Sequence, residues 1–94
     1  MSVYTNASIK VIDRRGKPVI GARVVVREFM SKSLRRTKEQ NGLDTSPMRG
    51  VSDADGCVRM HLHYEFRAEV AIDGRIYGVF LLDIGTNITI RIKD

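Results

Sequence analysis

The 94-residue sequence has one cysteine, two prolines, no tryptophan and no long apolar run. Because Cys57 stands alone, no internal disulfide can form and packing must hold the fold. No segment approaches the roughly 20 apolar residues of a membrane-spanning helix, and residues 1–10 lack the apolar core of a secretion signal. We expect no membrane insertion, with a cytoplasmic location for a free-standing chain and a cell-surface or extracellular one for a piece of an exported protein.

The length and composition are those of one small globular unit. Hydrophobic residues make up 43% of the chain and charged residues 29%, a balance that excludes wholesale disorder. A chain of this length builds one hydrophobic core but not two, so a two-lobed cofactor-binding enzyme is excluded. We therefore expect a single domain over residues 1–94 and no cofactor.

Positive charge is concentrated in the first half of the chain. The net charge is +5, but residues 1–49 contain eleven basic and four acidic side chains, whereas residues 50–94 contain five basic and seven acidic ones. The first half is therefore the part expected to meet an acidic partner.

Alternation of apolar and polar residues indicates β-strands along most of the chain. Two early runs with this period place their apolar side chains on inward faces, and a turn containing Gly16 and Pro18 separates them. Asp73-Gly74 predicts a two-residue hairpin, and the run that follows it, residues 76–82, is apolar enough to suggest a central strand or one covered on both faces. The inward residues predicted for the early runs are Ile9, Val11, Ala22, Val24 and Val26; the later predicted strands are 58–64, 66–72, 76–82 and 88–93.

These elements predict an all-β fold. About seven short strands favour a single immunoglobulin-like or prealbumin-like Greek-key β-sandwich. The exception is one long polar and basic loop over residues 30–49, in which residues 33–40 could form about two turns of helix without an apolar stripe. A loop of this length in a compact domain is usually functional or disordered.

Two turn motifs carry a resemblance to a known group of domains. The first strand ends in Val-Ile-Asp at residues 11–13, a Gly-Lys-Pro turn follows at 16–18, and Gly-Ala at 21–22 precedes the second strand; Ser-Asp-Ala-Asp-Gly follows at 52–56. In this order the motifs resemble those of carboxypeptidase regulatory-like, or transthyretin-like, β-sandwich domains. The resemblance implies the sandwich fold but hardly constrains function, because this architecture serves many roles.

The chemically active branches of that group are disfavoured. Lys10 stands where the transthyretin-like hydrolases have a catalytic histidine, and the chain ends Arg-Ile-Lys-Asp instead of their Tyr-Arg-Gly-Ser. Adhesin repeats of the group form a Lys to Asn isopeptide bond, but Val11 stands where their lysine is expected. Lys10 lies one residue away and so faces the other side of the sheet, which makes a bond to Asn87 improbable. The remaining branch is a plain accessory domain without catalytic residues.

The basic loop is the most plausible working surface, although a solvated loop is the simpler interpretation. Its cations could pair with an acidic protein or neutralise phosphates, but it lacks interleaved aromatic residues for base stacking. The candidate residues are Lys32, Arg35, Arg36 and Lys38, with Arg14, Arg15 and Lys17 from the first turn as possible neighbours.

Metal and calcium sites are weaker candidates. His61 and His63 share one face of a predicted strand about 7 Å apart, but no third and fourth ligand is evident. Asp53 to Gly56 resembles half a calcium loop, yet a turn in which aspartates accept backbone N–H bonds is the better explanation. The sequence thus favours a non-enzymatic accessory or structural module that mediates protein–protein assembly or self-association through a sheet edge or loop 30–49. A binder of nucleic acid or another polyanion is the alternative, and an enzyme stands third.

Overall fold

The computed structural model describes residues 7–62 and 65–93, and the sandwich predicted from the sequence is confirmed there. One sheet has three strands and the other has four. The strand order is β4-β1-β7 in the first sheet and β3-β2-β5-β6 in the second. The elements are β1 Ala7–Ile12, β2 Arg23–Glu28, α1 Lys32–Gln40, β3 Met48–Val51, β4 Cys57–Met60, β5 Phe66–Ile72, β6 Arg75–Leu82 and β7 Thr86–Arg91.

The core lies between the two sheets and is built from the alternating apolar residues. All five inward residues predicted for the early runs are buried, so the period-2 interpretation is confirmed there. The later strands contribute in the same way, and the aliphatic side chains of the two inner faces form one cluster. The largest fully buried side chains are those of Ile9, Val11, Val24, Val70, Ile72 and Leu82.

Strand β1 is the centre of the three-stranded sheet. It pairs antiparallel with β4 and parallel with β7, in a register that sets Lys10 opposite Thr89. Val11 is fully buried, whereas Lys10 is exposed on the outer face. The side chain on β1 that faces the core near Asp13 is therefore aliphatic and not an amine.

The turn after β1 is organised by one carboxylate. Asp13 Oδ1 accepts backbone N–H bonds from Arg15 at 2.8 Å and from Lys17 at 2.9 Å. The Asp13 N–H donates to the Lys17 carbonyl at 2.8 Å, which closes the turn. The Lys17 N–H bond, followed by that of Arg15, lowers the pKa of Asp13 because both stabilise the ionised carboxylate.

The turn between β3 and β4 repeats this pattern. Asp53 Oδ1 accepts from the N–H groups of Asp55 and Cys57, at 2.9 and 3.0 Å. These two bonds lower the pKa of Asp53, and the bond from Cys57 has the larger effect. Arg59 also forms an ion pair with the Asp53 carboxylate at 2.7 Å. The interpretation of residues 53–56 as an aspartate-stabilised turn is thus confirmed.

The two turns pack against each other. The Val11 N–H donates to the Gly56 carbonyl at 2.7 Å. A Cβ atom at position 56 would lie only 2.6 Å from the Val11 carbonyl oxygen and 3.0 Å from Pro18 Cβ. The sequence motifs that suggested the fold therefore meet at one end of the sandwich, where glycine is required for the close approach.

The hairpin predicted at Asp73-Gly74 joins β5 to β6. Ile72 pairs with Arg75, so two residues form the turn, and both have positive φ, 50° at Asp73 and 84° at Gly74. Positive φ at both central residues matches the twist of the flanking strands.

One expectation was wrong and a second was right only in part. The run 76–82 does not form a central or doubly covered strand, because β6 is the last strand of its sheet and Val79 and Leu81 are 46% and 55% exposed. The predicted loop 30–49 does contain the short helix expected over residues 33–40, which is α1, but it also contains the start of β3. Helix α1 forms without burying any residue because Ser31 caps it, accepting the Leu34 N–H through Oγ at 3.1 Å.

One further boundary differs from expectation. The strand predicted over residues 58–64 ends at Met60 in β4, although Leu62 is still buried and His61 exposed, as the alternation predicted. No helix in the described part of the chain is long and apolar enough to cross a bilayer.

Candidate functional site

The free edge of the four-stranded sheet is the candidate site, because β6 pairs with β5 and with no other strand among the described residues. The direction of its backbone groups follows from the neighbouring ladder. The Phe29 N–H donates to the Arg67 carbonyl at 2.8 Å, and the Asp73 N–H donates to the Arg23 carbonyl at 2.8 Å. Odd-numbered residues of β5 therefore turn their backbone groups toward β2.

Even-numbered residues of β5 accordingly turn toward β6, since backbone groups alternate sides along an antiparallel strand. Ala68 pairs with Phe80 and Phe66 with Leu82, so Phe80 and Leu82 bond inward to β5. The intervening residues, Val79 and Leu81, point their N–H and C=O groups away from the sheet. These two residues supply two donors and two acceptors at the free edge.

Apolar side chains accompany these backbone groups. On the inner face, Leu82 is fully buried and Phe80 is partly buried against the core. On the outer face, Ile76 is 60% exposed, and Val79 and Leu81 are about half exposed. Strand β6 contains no proline, and Arg75, its first residue, is its only charged one. The features that usually protect an edge strand from association are therefore few.

A bulge fixes the first part of β6. The register shifts between Val70 and Ala71 so that Tyr77 is the extra residue, and Gly78 adopts a φ of 142°. The Tyr77 hydroxyl accepts the Lys93 N–H at 3.0 Å, which ties β6 to the end of β7 in the other sheet. The bulge thus anchors one end of the edge and leaves the segment from Val79 onward open.

The remaining edges differ from β6. Strands β3 and β4 are the other edges of the two sheets and pack against each other, since a Cβ atom at Gly50 would lie 2.6 Å from Val58 Cγ1. The large exposed apolar residue on these two strands is Val51 of β3. The outer face of β7 carries Asn87 and Thr89, and Asn87 Oδ1 accepts a hydrogen bond from Ser8. Among the described strands, β6 therefore combines an open edge with the most exposed apolar surface.

The structure partly neutralises the predicted basic loop. Lys38 forms an ion pair with Glu28 at 3.2 Å, and Arg35 donates through Nη2 to the Glu28 carbonyl at 3.3 Å. Lys32 and Arg36 are exposed on α1. The four cations belong to one helix, but two of them are held against the end of β2.

The basic residues of the first turn do not join those of α1. Arg14, Arg15 and Lys17 are exposed in the segment that leads toward the start of β2, whereas α1 follows the end of β2. Six strand residues at about 3.3 Å each separate the two groups by roughly 20 Å. The seven candidate residues therefore form two separate basic patches and not one.

The histidine candidates do not assemble a metal site in the described residues. His61 lines a cavity of about 150 Å³ with Glu28, Asp44, Thr45 and other side chains. No group of three histidine, cysteine, aspartate or glutamate side chains there could hold a metal ion, and His63 lies outside the described residues. The pKa of Asp44 is lowered, first by the Ser46 N–H bond, which keeps this carboxylate ionised.

Comparison with known proteins gave no match, either to a family model or to a curated protein. Function must therefore be inferred from the chain's own geometry. The residues that sequence reasoning did not single out are Val79 and Leu81, whose position at an edge depends on which strands pair. The signal that could have found them is the Asp73-Gly74 hairpin, because it makes residues 76–82 the outer partner of a strand already predicted.

Proposed function

We propose that the protein is a non-catalytic accessory or structural β-sandwich module, of the carboxypeptidase regulatory-like or transthyretin-like kind, that assembles with another chain through β6. The observation that supports this proposal is the coincidence of outward backbone groups at Val79 and Leu81 with exposed apolar side chains on the same strand. A segment of the partner adds to the four-stranded sheet as a fifth strand.

Strand addition supplies partners to the outward N–H and C=O groups of Val79 and Leu81, which pair with no other strand among the described residues. The backbone ladder supplies affinity, and side chains that alternate along the added strand supply specificity. Its outer-face residues pack beside Ile76, Val79 and Leu81, so we expect apolar or β-branched residues at alternate positions of the partner.

The ends of β6 favour one direction for the added strand. Arg75 lies at the start of β6, and Asp83 follows its end, with uncharged residues between them. A partner segment of opposite polarity, acidic beside Arg75 and basic beside Asp83, fits this edge. A second copy of β6 that runs antiparallel meets this requirement, because its Asp83 lies beside Arg75 and its Arg75 lies beside Asp83. Self-association is therefore one outcome of the test.

The polyanion alternative has less support. Arg35 and Lys38 are held by Glu28, and the second basic patch lies at the opposite end of β2. Charge is therefore dispersed and does not form one continuous stripe of the kind that polyanion binding favours. That the protein is not an enzyme stays a prediction.

Site-specific photo-crosslinking in the cells that make the protein tests the proposal. A photoreactive residue replaces Val79 in one variant and Thr89, exposed on the outer face of the other sheet, in the control. We expect a discrete crosslinked product from position 79 and none from position 89, identified by its mass and by peptide mapping. A product with another protein and a product with a second copy both support assembly at β6.

An edge-blocking variant completes the design. Leu81→Pro removes an outward N–H without removing a bond to β5, so the fold is retained and the product from position 79 is lost. Equal products from positions 79 and 89, or a product that survives Leu81→Pro, would overturn the proposal.

A further inference from the structure

The two outer faces of the sandwich differ in their apolar surface. Five of the nine large apolar side chains that are exposed in the described part of the chain lie on the outer face of the four-stranded sheet, namely Phe29, Val51, Ile76, Val79 and Leu81. The outer face of the three-stranded sheet has none of the nine, and its outward positions on β7 are Asn87, Thr89 and Arg91. Exposed apolar residues that cluster on one face indicate an interaction surface.

The cations of the same face are all arginines. Four exposed side chains form a group that we call the arginine band: Arg23 and Arg27 of β2, Arg49 of β3 and Arg67 of β5. Arg49 lies opposite Val25 in the register, so it is diagonal to Arg23 and to Arg27. Arg67 is likewise diagonal to Arg27 on the other side of β2. Diagonal neighbours across two strands lie about 7–8 Å apart, so the four positive charges are close together.

The arginine band has more positive charge than its neighbours offset. None of its guanidinium groups forms a hydrogen bond or an ion pair with another described residue. Two carboxylates lie near it: Glu69 is opposite Arg27, and Asp73 accepts the Arg23 N–H at 3.0 Å. Four arginines and two carboxylates leave a surplus of two positive charges. This face is therefore complementary to an anionic partner.

The composition of the face favours protein over nucleic acid as that partner. Arginine and large apolar residues are enriched in protein interfaces and lysine is depleted, and none of the five lysines of the chain lies on this face. Phe29 is the one exposed aromatic residue there, whereas single-stranded nucleic acid is bound by several stacking rings. A surplus of two charges is also small for a polyanion, because its affinity grows with the number of phosphates neutralised.

The apolar and basic residues lie side by side. Ile76, Val79 and Leu81 follow β6, and the arginine band is centred on β2, with β5 between them. Because adjacent strands are about 4.8 Å apart, the two groups are separated by about 10 Å, the diameter of an α-helix. Ala71, on the strand between them, is small and partly buried, so a helix can approach closely.

We propose that the outer face of the four-stranded sheet binds an acidic amphipathic helix of another protein. The apolar stripe of the helix packs on the β6 side chains, and its carboxylates pair with the arginine band. The helix forms a third layer on the sandwich, since a helix on a sheet face is a stable arrangement of layers. The proposal does not rest on strand addition, which requires the outward backbone groups of β6.

Titration of the isolated protein with a synthetic helical peptide, followed by NMR, tests the proposal. The peptide has about 18 residues, enough to cross the face at 1.5 Å each, with leucines along one stripe and glutamates along the adjoining one. We expect saturable shifts of the Val25 and Ala71 amides and of the Arg67 Nε–H signal, and none at Thr89 on the other sheet.

Three control ligands are titrated at the same ionic strength. One peptide has lysine in place of glutamate, and a second has the same composition in an order that removes both stripes. Both should bind at least about tenfold more weakly, because the first repels the arginines and the second cannot match the two groups of residues. An oligothymidine of the same charge should also bind more weakly than the acidic peptide.

Variants separate the arginine band from the net charge of the protein. Arg27→Gln and Arg67→Gln should each weaken binding of the acidic peptide about two- to fivefold, the effect of one exposed ion pair, and should reduce its salt dependence. Leu81→Thr should weaken binding but leave the salt dependence unchanged. Arg91→Gln removes an exposed charge from the outer face of the other sheet, and we expect less than about a twofold change.

Four results would overturn the proposal. They are the absence of saturable shifts on the outer face, equal binding of the acidic and the reordered peptides, tighter binding of the oligothymidine, and equal losses of affinity in Arg67→Gln and Arg91→Gln. The last result would mean that the peptide responds to net charge and not to the arginine band.

Discussion

Replacing Gly56 by alanine tests whether the two aspartate turns pack as described. Gly56 has a φ of +77°, and a Cβ atom there would lie 2.6 Å from the Val11 carbonyl oxygen, a backbone atom that cannot rotate away. The left-handed conformation costs a non-glycine residue about 1–2 kcal/mol. Overpacking of this kind costs about 1–3 kcal/mol more, so the free energy of unfolding should fall by about 2–5 kcal/mol.

The first turn supplies a matched control. Gly16 has a φ of +84° and follows its aspartate by the same three residues, but a Cβ atom there meets nothing within 4 Å. Gly16→Ala should therefore cost only the conformational part, about 1–2 kcal/mol. Urea unfolding followed by circular dichroism measures both values. Equal losses of stability would refute the packing of the two turns, because the alanine at position 56 would then meet no closer neighbour than the one at position 16.

Three further predictions follow from the same structure. The pKa values of Asp13 and Asp53 are lowered from 3.8 in the folded chain, so both carboxylates stabilise the fold fully above pH 3.8, and this stabilisation is lost as pH falls through the lowered pKa values. Asp53→Asn should therefore reduce the loss of unfolding free energy in acid, measured by urea titrations at successive pH values. A variant with the same pH profile as the parent would contradict this prediction. Ser52→Ala removes a buried hydroxyl that accepts the Ala22 N–H at 2.8 Å and donates to the Val19 carbonyl at 2.6 Å. The free energy of unfolding, measured in urea, should therefore fall by about 1–3 kcal/mol, and a change near zero would count against these bonds. Phe80→Pro should destabilise the fold by about 3 kcal/mol or more because it removes a bond to β5, whereas Leu81→Pro should melt within a few degrees of the parent; similar melting temperatures for the two would disprove the assigned backbone directions.

The local pattern of the sequence was sufficient to predict most strands and the core. Val58, Met60 and Leu62 alternate with the polar Arg59 and His61, and period 2 alone places the three apolar residues on one face. The turns were also predictable, because Asp53 and Gly56 have side-chain and backbone preferences that act over four residues. Such features are determined by residues close together in the chain.

The candidate site was harder to predict because it depends on pairing between distant segments. The apolar run of β6 suggested a central strand or one covered on both faces, but β7 pairs with β1 in the other sheet, so no strand among the described residues pairs with β6 beyond Leu81. The separation of the basic residues into two patches also depends on how distant segments are arranged. Arg14 and Arg36 are only 22 positions apart in sequence, yet β2 separates them, and the distance follows from the strand and not from the charge pattern.

The central claim, that β6 is an open edge used for assembly, is tested most directly by hydrogen exchange of individual amides. In the isolated protein, the Val79 and Leu81 amides should exchange quickly and the Phe80 amide slowly, because Phe80 bonds to β5. In the crosslink-defined complex, or in the dimer if the partner is a second copy, Val79 and Leu81 should become as protected as Phe80. Amides of Val79 and Leu81 that are already protected in the isolated protein, or that still exchange quickly in the complex, would contradict the claim.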